Sequence, residues 1–224
     1  MWIKIMEVTA GPIASKLMEI GAIKLNHETP FTWSSGWKSP VYCDNRLSLS
    51  YPEVRSYIKR CLAQAIRENF PKVDVIAGVA TAGVPQGALV AEELQLPFVY
   101  VRPKPKDHGM ENLIEGKIEK GQSVVLVEDL ISTGGSSLKA ATALREAGAL
   151  VAGMVAIFTY GFDTAEKNFK KDKVELVCLC DFAHLLQEAL RKKFINEDQL
   201  VYIKAGAIPT SCQYQYFVFL LHEC

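Results

Sequence analysis

The 224-residue sequence has no excess of either charge, 25 Lys and Arg standing against 25 Asp and Glu. A chain without a net field has no general attraction for a nucleic acid or an acidic membrane surface, so an anionic ligand must be met by a local site. Also missing is any uninterrupted apolar run near the ~20 residues that cross a bilayer. Residues 1–7 lack the basic start and apolar core of a secretion signal. These absences lead to the expectation of a cytoplasmic protein with neither membrane nor nucleic acid as partner. No internal repeat or low-complexity linker is present. The six cysteines, at 43, 61, 178, 180, 212 and 224, are scattered through a chain large enough to need no disulfide staples, which favours free thiols. Cys178 and Cys180 stand one residue apart in an apolar run, a gap short for paired zinc ligands and ordinary in a buried strand.

What is present is a 49% hydrophobic chain, enough to bury a substantial core as a single domain, which excludes a disordered tail or a coiled-coil rod. Short β-branched apolar runs alternate with longer amphipathic segments, the pattern of an α/β fold with a mainly parallel central sheet. Strands are expected at 73–79, 98–102, 124–128, 151–159 and 174–179, apolar enough to be covered on both faces. Helices are expected at 7–20, 52–69, 86–94, 136–146 and 182–193. The clearest is 52–69, with Ser50 and Glu53 at capping-box spacing, Pro52 in the first turn, and Val54, Ile58, Cys61, Leu62, Ala65 and Ile66 on one stripe. Pro71 ends it.

Two segments break the alternation. Residues 102–120 carry ten charged or imidazole side chains with few apolar anchors, and a connection that long inside a domain is usually a functional lid or disordered. Residues 31–46, FTWSSGWKSPVYCDNR, are dense in aromatics and hydroxyls without clean periodicity, which suggests a lobe beside a pocket. Trp33 and Trp37 can stack on a planar ligand, although such spacing more often serves packing.

The chemistry concentrates in 124–137, VVLVEDLISTGGSS. A buried strand runs into two carboxylates, Glu128 and Asp129, then two apolar residues, then a small, hydroxyl-rich turn that opens a helix. Ligands of open α/β sheets bind at such carboxyl ends. Gly134 and Gly135 let successive backbone N–H groups face one concavity, Ser132, Thr133, Ser136 and Ser137 add hydroxyls, and the helix start adds positive partial charge. That is a phosphate cradle, and the acidic pair ahead of it can accept the hydroxyls of an attached ribose. A short glycine-rich pattern alone would suit an ordinary polar turn; the acidic pair and the hydroxyls reverse those odds. A Walker loop is a poor fit because the expected lysine is missing, and no G-x-G-x-x-G follows a strand.

At these residues the sequence resembles the type I phosphoribosyltransferases. FTWSSGWKSPVYCDNR, VRPKPKDHG at 101–109 and VEDLISTGGSS at 127–137 stand in the order and near the spacing seen in orotate phosphoribosyltransferases, over roughly residues 7 to 200. The resemblance implies a single domain with a small N-terminal hood at about 1–50, a core at about 51–204 and an extension at 205–224. It implies a homodimer that converts orotate and 5-phosphoribosyl diphosphate (PRPP) to orotidine 5′-monophosphate and pyrophosphate with Mg²⁺, in pyrimidine biosynthesis. Glu128 and Asp129 match the pair that holds the ribose hydroxyls. Leu130, Ile131, Ser132, Thr133, Gly134, Gly135 and Ser136 match the loop around the 5′-phosphate, and Ser132 also matches a position that touches orotate. Arg102, Lys106 and His108 match basic residues of a catalytic lid that reaches the neighbouring subunit's site. Residues 78–87 look like the pyrophosphate loop, and Tyr42 and Cys43 match the place whose backbone faces orotate. Thr81, Ala82, Pro103, Ser34 and Tyr160 depart from residues that other members carry at their positions, Tyr160 standing near a position that others fill with an orotate-contacting arginine. Lys38 is a candidate replacement charge.

Chemically, breaking the bond from ribose C1 to pyrophosphate leaves positive charge on the sugar and negative charge on the leaving group. Arg102 can fork onto phosphate oxygens, Lys106 is a mobile point charge, and His108 titrates near neutrality; together with Asp129 they form the expected catalytic set. Mg²⁺ is expected to be held by PRPP oxygens, with no dedicated protein ligand. The alternatives are a phosphoribosyltransferase for another base and a PRPP-sensing regulator on the same fold. His184 reads as a packed or partly exposed helix residue, and the apolar run in 205–224 has no assigned role.

Overall fold

Val, Ile and Leu runs that cannot satisfy their backbone polar groups alone do so by pairing, and the chain arranges them as one parallel stack. In the computed structural model, residues 2–25, 31–32, 38–104 and 113–206 are described. In chain order they form β1 (Ile3–Ile5), α1 (Glu7–Glu19), β2 (Ile23–Leu25), β3 (Phe31–Thr32), β4 (Lys38–Ser39), β5 (Val41–Cys43), a 3-10 turn (Asn45–Ser50), α2 (Pro52–Asn69), β6 (Val75–Val79), α3 (Gly83–Leu94), β7 (Phe98–Val101), β8 (Ile114–Glu115), β9 (Ser123–Ile131), α4 (Gly135–Glu146), β10 (Leu150–Thr159), α5 (Asp163–Asp172), β11 (Leu176–Asp181), α6 (Phe182–Arg191) and α7 (Glu197–Gly206).

Among the described residues one seven-stranded sheet has the order β1-β11-β10-β9-β6-β7-β8, and two small two-stranded sheets, β2-β5 and β3-β4, stand apart from it. All neighbours in the large sheet are parallel except β8, which runs antiparallel to β7. Alternation sends Val125, Val127, Val155, Ile157, Val177 and Leu179 into a core shared with α1, α2, α3 and α6. Val124, Leu126, Met154, Ala156 and Leu176 enter the opposite core, beneath α4 and α5. Both faces are therefore covered, as the near-continuous apolar strands require. No helix among the described residues is long and apolar enough to cross a membrane.

The α/β class, the parallel sheet and the five expected strands and helices are present, several with shifted ends. Three differences have physical causes. The capping box at Ser50 and Glu53 does not form, because Ser50 closes the 3-10 turn and Tyr51 takes the cap position without a side-chain bond. Pro52 still opens α2. The strand expected to end at Glu128 continues to Ile131, since Leu130 and Ile131 pair with Phe158 and Thr159 of β10. The acidic pair thus lies inside the strand. Within the segment expected as hood, Ile3–Ile5 joins the large sheet beside β11, where Glu166 accepts hydrogen bonds from the backbone of Trp2 at 2.8 Å and Ile3 at 3.1 Å. The structures that stand outside the sheet begin at β2.

Cys43, Cys61, Cys178 and Cys180 are free and buried. Cys178 enters one core and Cys180 the other, and among the described residues no cluster of metal-ligating side chains occurs.

Candidate active site

Strand β9 occupies the middle of the sheet, and its carboxyl end carries the carboxylates into a place where three other segments meet. Glu128 is buried, with both oxygens engaged. One accepts the backbone N–H of Asp129 and the other the hydroxyl of Ser137 on α4, each at 2.9 Å. Burial, reinforced by the neighbouring Asp129 charge, pushes the Glu128 carboxyl well above the usual glutamate range. Asp129, half-buried, is raised by burial as well, against hydrogen bonds and the Arg46 charge that lower it. Two adjacent carboxyls that resist joint ionisation make an acceptor set that gains from a ligand supplying hydroxyl donors or a cation.

The turn after β9 leads into α4 at Gly134. Its φ of +79° is left-handed, and a Cβ there would lie 2.5 Å from the Phe169 ring of α5, so only glycine fits without displacement. Asn168 of α5 donates to the carbonyl of Thr133 at 2.9 Å, fixing the other side of the turn. Ser132 and Thr133 are half-buried, while Gly135 and Ser136 are exposed at the start of α4. A helix N-terminus with free N–H groups, small residues and hydroxyls on a pinned turn is suited to phosphate.

Beside this stand the loop and helix after β6. Gly78 pairs with Val127, and a Cβ on Gly83 would meet the Val127 carbonyl at 2.3 Å. The 78–87 segment therefore packs directly on β9 one residue before the acidic pair; its Ala80–Thr81 peptide is cis. On the next strand, Arg102 follows β7, its backbone N–H donating to Leu113 at 2.8 Å. Its Nη1 is buried, has no hydrogen-bond partner among the described residues and lies 3.6 Å from Glu115 Oε1.

The small sheets supply the fourth wall. Tyr42, exposed on β5, packs against Phe31 with ring centroids 5.7 Å apart. Cys43 turns its side chain inward, where burial raises the thiol well above its ordinary value. Tyr160, at the end of β10, is buried between Phe162, stacked at 5.5 Å, and Phe158, edge-on at 5.4 Å, and burial drives its phenol upward. Arg46 grips Asp44 with two bonds of 2.6 and 3.0 Å. Those contacts hold the Asp44 carboxyl below its usual range.

The structure thus brings together Glu128, Asp129, the 130–136 turn and the 78–87 segment, with Asn45 of the hood bonded to Asp129. Arg102 stands at the end of β7. Lys106, His108, Ser34, Trp33 and Trp37 lie outside the described residues. The sequence reading named Ser137 as a hydroxyl of the cradle; the structure instead has it donating to Glu128, nine residues earlier on the strand. Sequence reasoning missed the bridge in which His184 meets Asp181 at 2.7 Å and Glu7 at 3.0 Å.

Residues 50–187 match the family model for the phosphoribosyl transferase domain. The chain is 56% identical to the orotate phosphoribosyltransferase of Cytophaga hutchinsonii over 84% of its own length and 90% of that protein's. It is 58% identical to that of Porphyromonas gingivalis, over 84% and 90%. Among solved structures, the orotate phosphoribosyltransferase of Aeropyrum pernix is 30% identical, with a TM-score of 0.72 over 82% of this chain and 99% of that one.

Proposed function

The chain belongs to the orotate phosphoribosyltransferase family, and from that premise we propose that it transfers the 5-phosphoribosyl group of PRPP to orotate, giving orotidine 5′-monophosphate and pyrophosphate for pyrimidine biosynthesis. The observation that carries this reading is the buried Glu128–Asp129 pair running into the Gly134 turn and the start of α4, a sugar acceptor joined to a phosphate cradle.

In the proposed mechanism Asp129 accepts a ribose hydroxyl and places negative charge beneath a sugar that becomes electron-poor as C1 leaves pyrophosphate. Glu128 is the inner member, held by Ser137 so that the peptide joining the two carboxylates cannot swing. The backbone of Ser132, Thr133, Gly134, Gly135 and Ser136 takes the 5′-phosphate, fixing C1 relative to the base. The 78–87 segment and Arg102 face the leaving pyrophosphate; Nη1 of Arg102, loosely paired with Glu115 at 3.6 Å, is a donor suited to a phosphate oxygen. Lys106 and His108 belong to the lid, Lys106 neutralising the polyphosphate and His108 exchanging a proton with it. Ser132, Tyr42 and Cys43 border the orotate position, Cys43 through its backbone. With both Glu128 oxygens engaged, Asp129 is the carboxyl of the pair left to face a cation; Mg²⁺ would be held mainly through PRPP oxygens and would supply further neutralisation of the leaving group.

We further propose a homodimer in which the lid of one subunit serves the site of its partner. Purified protein with Mg²⁺ and PRPP is expected to consume orotate, followed by loss of its ultraviolet absorbance; turnover of hypoxanthine or adenine instead would overturn the assignment. Mixing Lys106→Ala with Asp129→Ala subunits is expected to restore activity if the lid acts across the interface. Heterodimers that form without recovery would place the lid in its own subunit.

A further inference from the structure

The ladder between β9 and β6 ends at Val127, paired with Gly78, while β9 runs on to Ile131. Beyond that point β9 stays in register with β10, the Ile131 carbonyl accepting from Tyr160 at 3.1 Å. Between the two, the Asp129 carbonyl takes a donor from outside the large sheet.

Asn45 provides it. Its Nδ2 donates to the Asp129 carbonyl at 2.7 Å, and the residue is 1% exposed. The thiol of Cys43 donates to Asn45 Oδ1 at 3.2 Å, which fixes which end of the amide faces the strand. The turn carrying Asn45 is itself held by Ser48 Oγ, donating to the Asn45 carbonyl at 2.6 Å, and by Gln86 of α3, whose Nε2 donates to Ser48 at 3.2 Å. Each of these side chains is buried.

We propose that Asn45 is the positioning residue that sets Asp129 against the ribose, through its hydrogen bond to the Asp129 carbonyl, and that Cys43 orients its amide. This rests on the proposed PRPP reaction and extends it: the segment that borders the base also fixes the acid that holds the sugar.

The test uses the full chain and two readouts, calorimetric binding of PRPP with Mg²⁺ and steady-state turnover of orotate. Asn45→Asp keeps the shape and removes the donor. It is expected to weaken PRPP binding by about tenfold, raise the KM for PRPP more than that for orotate, and lower kcat. Cys43→Ala is expected to give part of that loss and Cys43→Ser, which keeps a donor, to recover it. PRPP affinity of Asn45→Asp equal to wild type, or equal behaviour of the two Cys43 variants, overturns the proposal. Should Asn45→Asp fail to fold, the Cys43 pair decides. Binding separates this from the reaction: wild type that binds PRPP but ignores orotate refutes the assigned base only, and wild type that does not bind PRPP refutes both.

Discussion

The sugar-phosphate platform and the hood are built on opposite principles. In the platform, β9 lies between two cores, α4 covers one of them, and position comes from sheet register, a left-handed glycine and a helix end. The hood consists of two short antiparallel pairs, β2-β5 and β3-β4. The 3-10 turn that follows them bonds to the Asp129 strand through the Asn45 amide. On the proposed function, the platform would take the substrate portion common to many reactions, and the hood could vary with the base and leave the core untouched. This difference accounts for a fold shared by many activities whose specificity resides in grafted segments.

The largest effect expected is from Asp129→Asn, which keeps the platform's packing and removes its charge. Turnover is expected to fall by roughly 100- to 1000-fold, as when one preorganised transition-state contact is lost. Thermal stability should hold or rise, because burial disfavours the carboxylate. A large fall in melting temperature would show that the charge supports the fold instead. Next, Gly134→Ala forces a side chain into a left-handed position against Phe169, and a loss of about 2–4 kcal/mol is expected in urea unfolding. A cost near zero would mean that the turn relaxes freely. The hood's counterpart is milder: Tyr42→Ala, which breaks the ring pair with Phe31, is expected to raise the KM for orotate by about three- to tenfold. The KM for PRPP should move less than twofold; equal change in both would erase the division of labour.

The smallest effect is expected outside both halves, at His184 between α1 and α6. Burial lowers its pKa, but hydrogen bonds to Asp181 and Glu7 outweigh that and leave it raised. A raised imidazole adds stability in full below its unfolded value near 6.5, and that addition disappears as pH rises through the folded value. His184→Ala should therefore lower the melting temperature at pH 5.5 more than at pH 8.5, by an amount equivalent to roughly 0.5 kcal/mol for so exposed a pair, with turnover unchanged.

Much of this architecture is legible from residue order because strands buried on both faces must be apolar throughout, and β9, β10 and β11 are. Helix α5 is not, since only Ala165 and Phe169 are buried and the remaining residues show no stripe. Strand β1 is three residues long, too short to register as a period. The cradle and acidic pair are local in sequence and can be recognised there. Asn45 cannot, because its partner lies 84 residues away and the two meet only once the 3-10 turn packs on β9. His184 was read as packing because Glu7, 177 residues distant, is visible only once α1 and α6 meet.

The short antiparallel strand β8 has a geometric consequence. Its pairing with β7, together with the Arg102–Leu113 hydrogen bond, fastens both feet of the 103–112 segment at one edge of the sheet. Ten residues tethered at both ends travel outward over only half their contour, about 17 Å at ~3.4 Å per residue, whatever path they take. On the proposed lid role, the backbone at Lys106 and His108 would be bounded by a hemisphere of that radius, with the side chains adding their own length. Any second subunit they served would have to bring its cradle within that combined reach, which makes the length of this strap a constraint on how closely two copies have to approach.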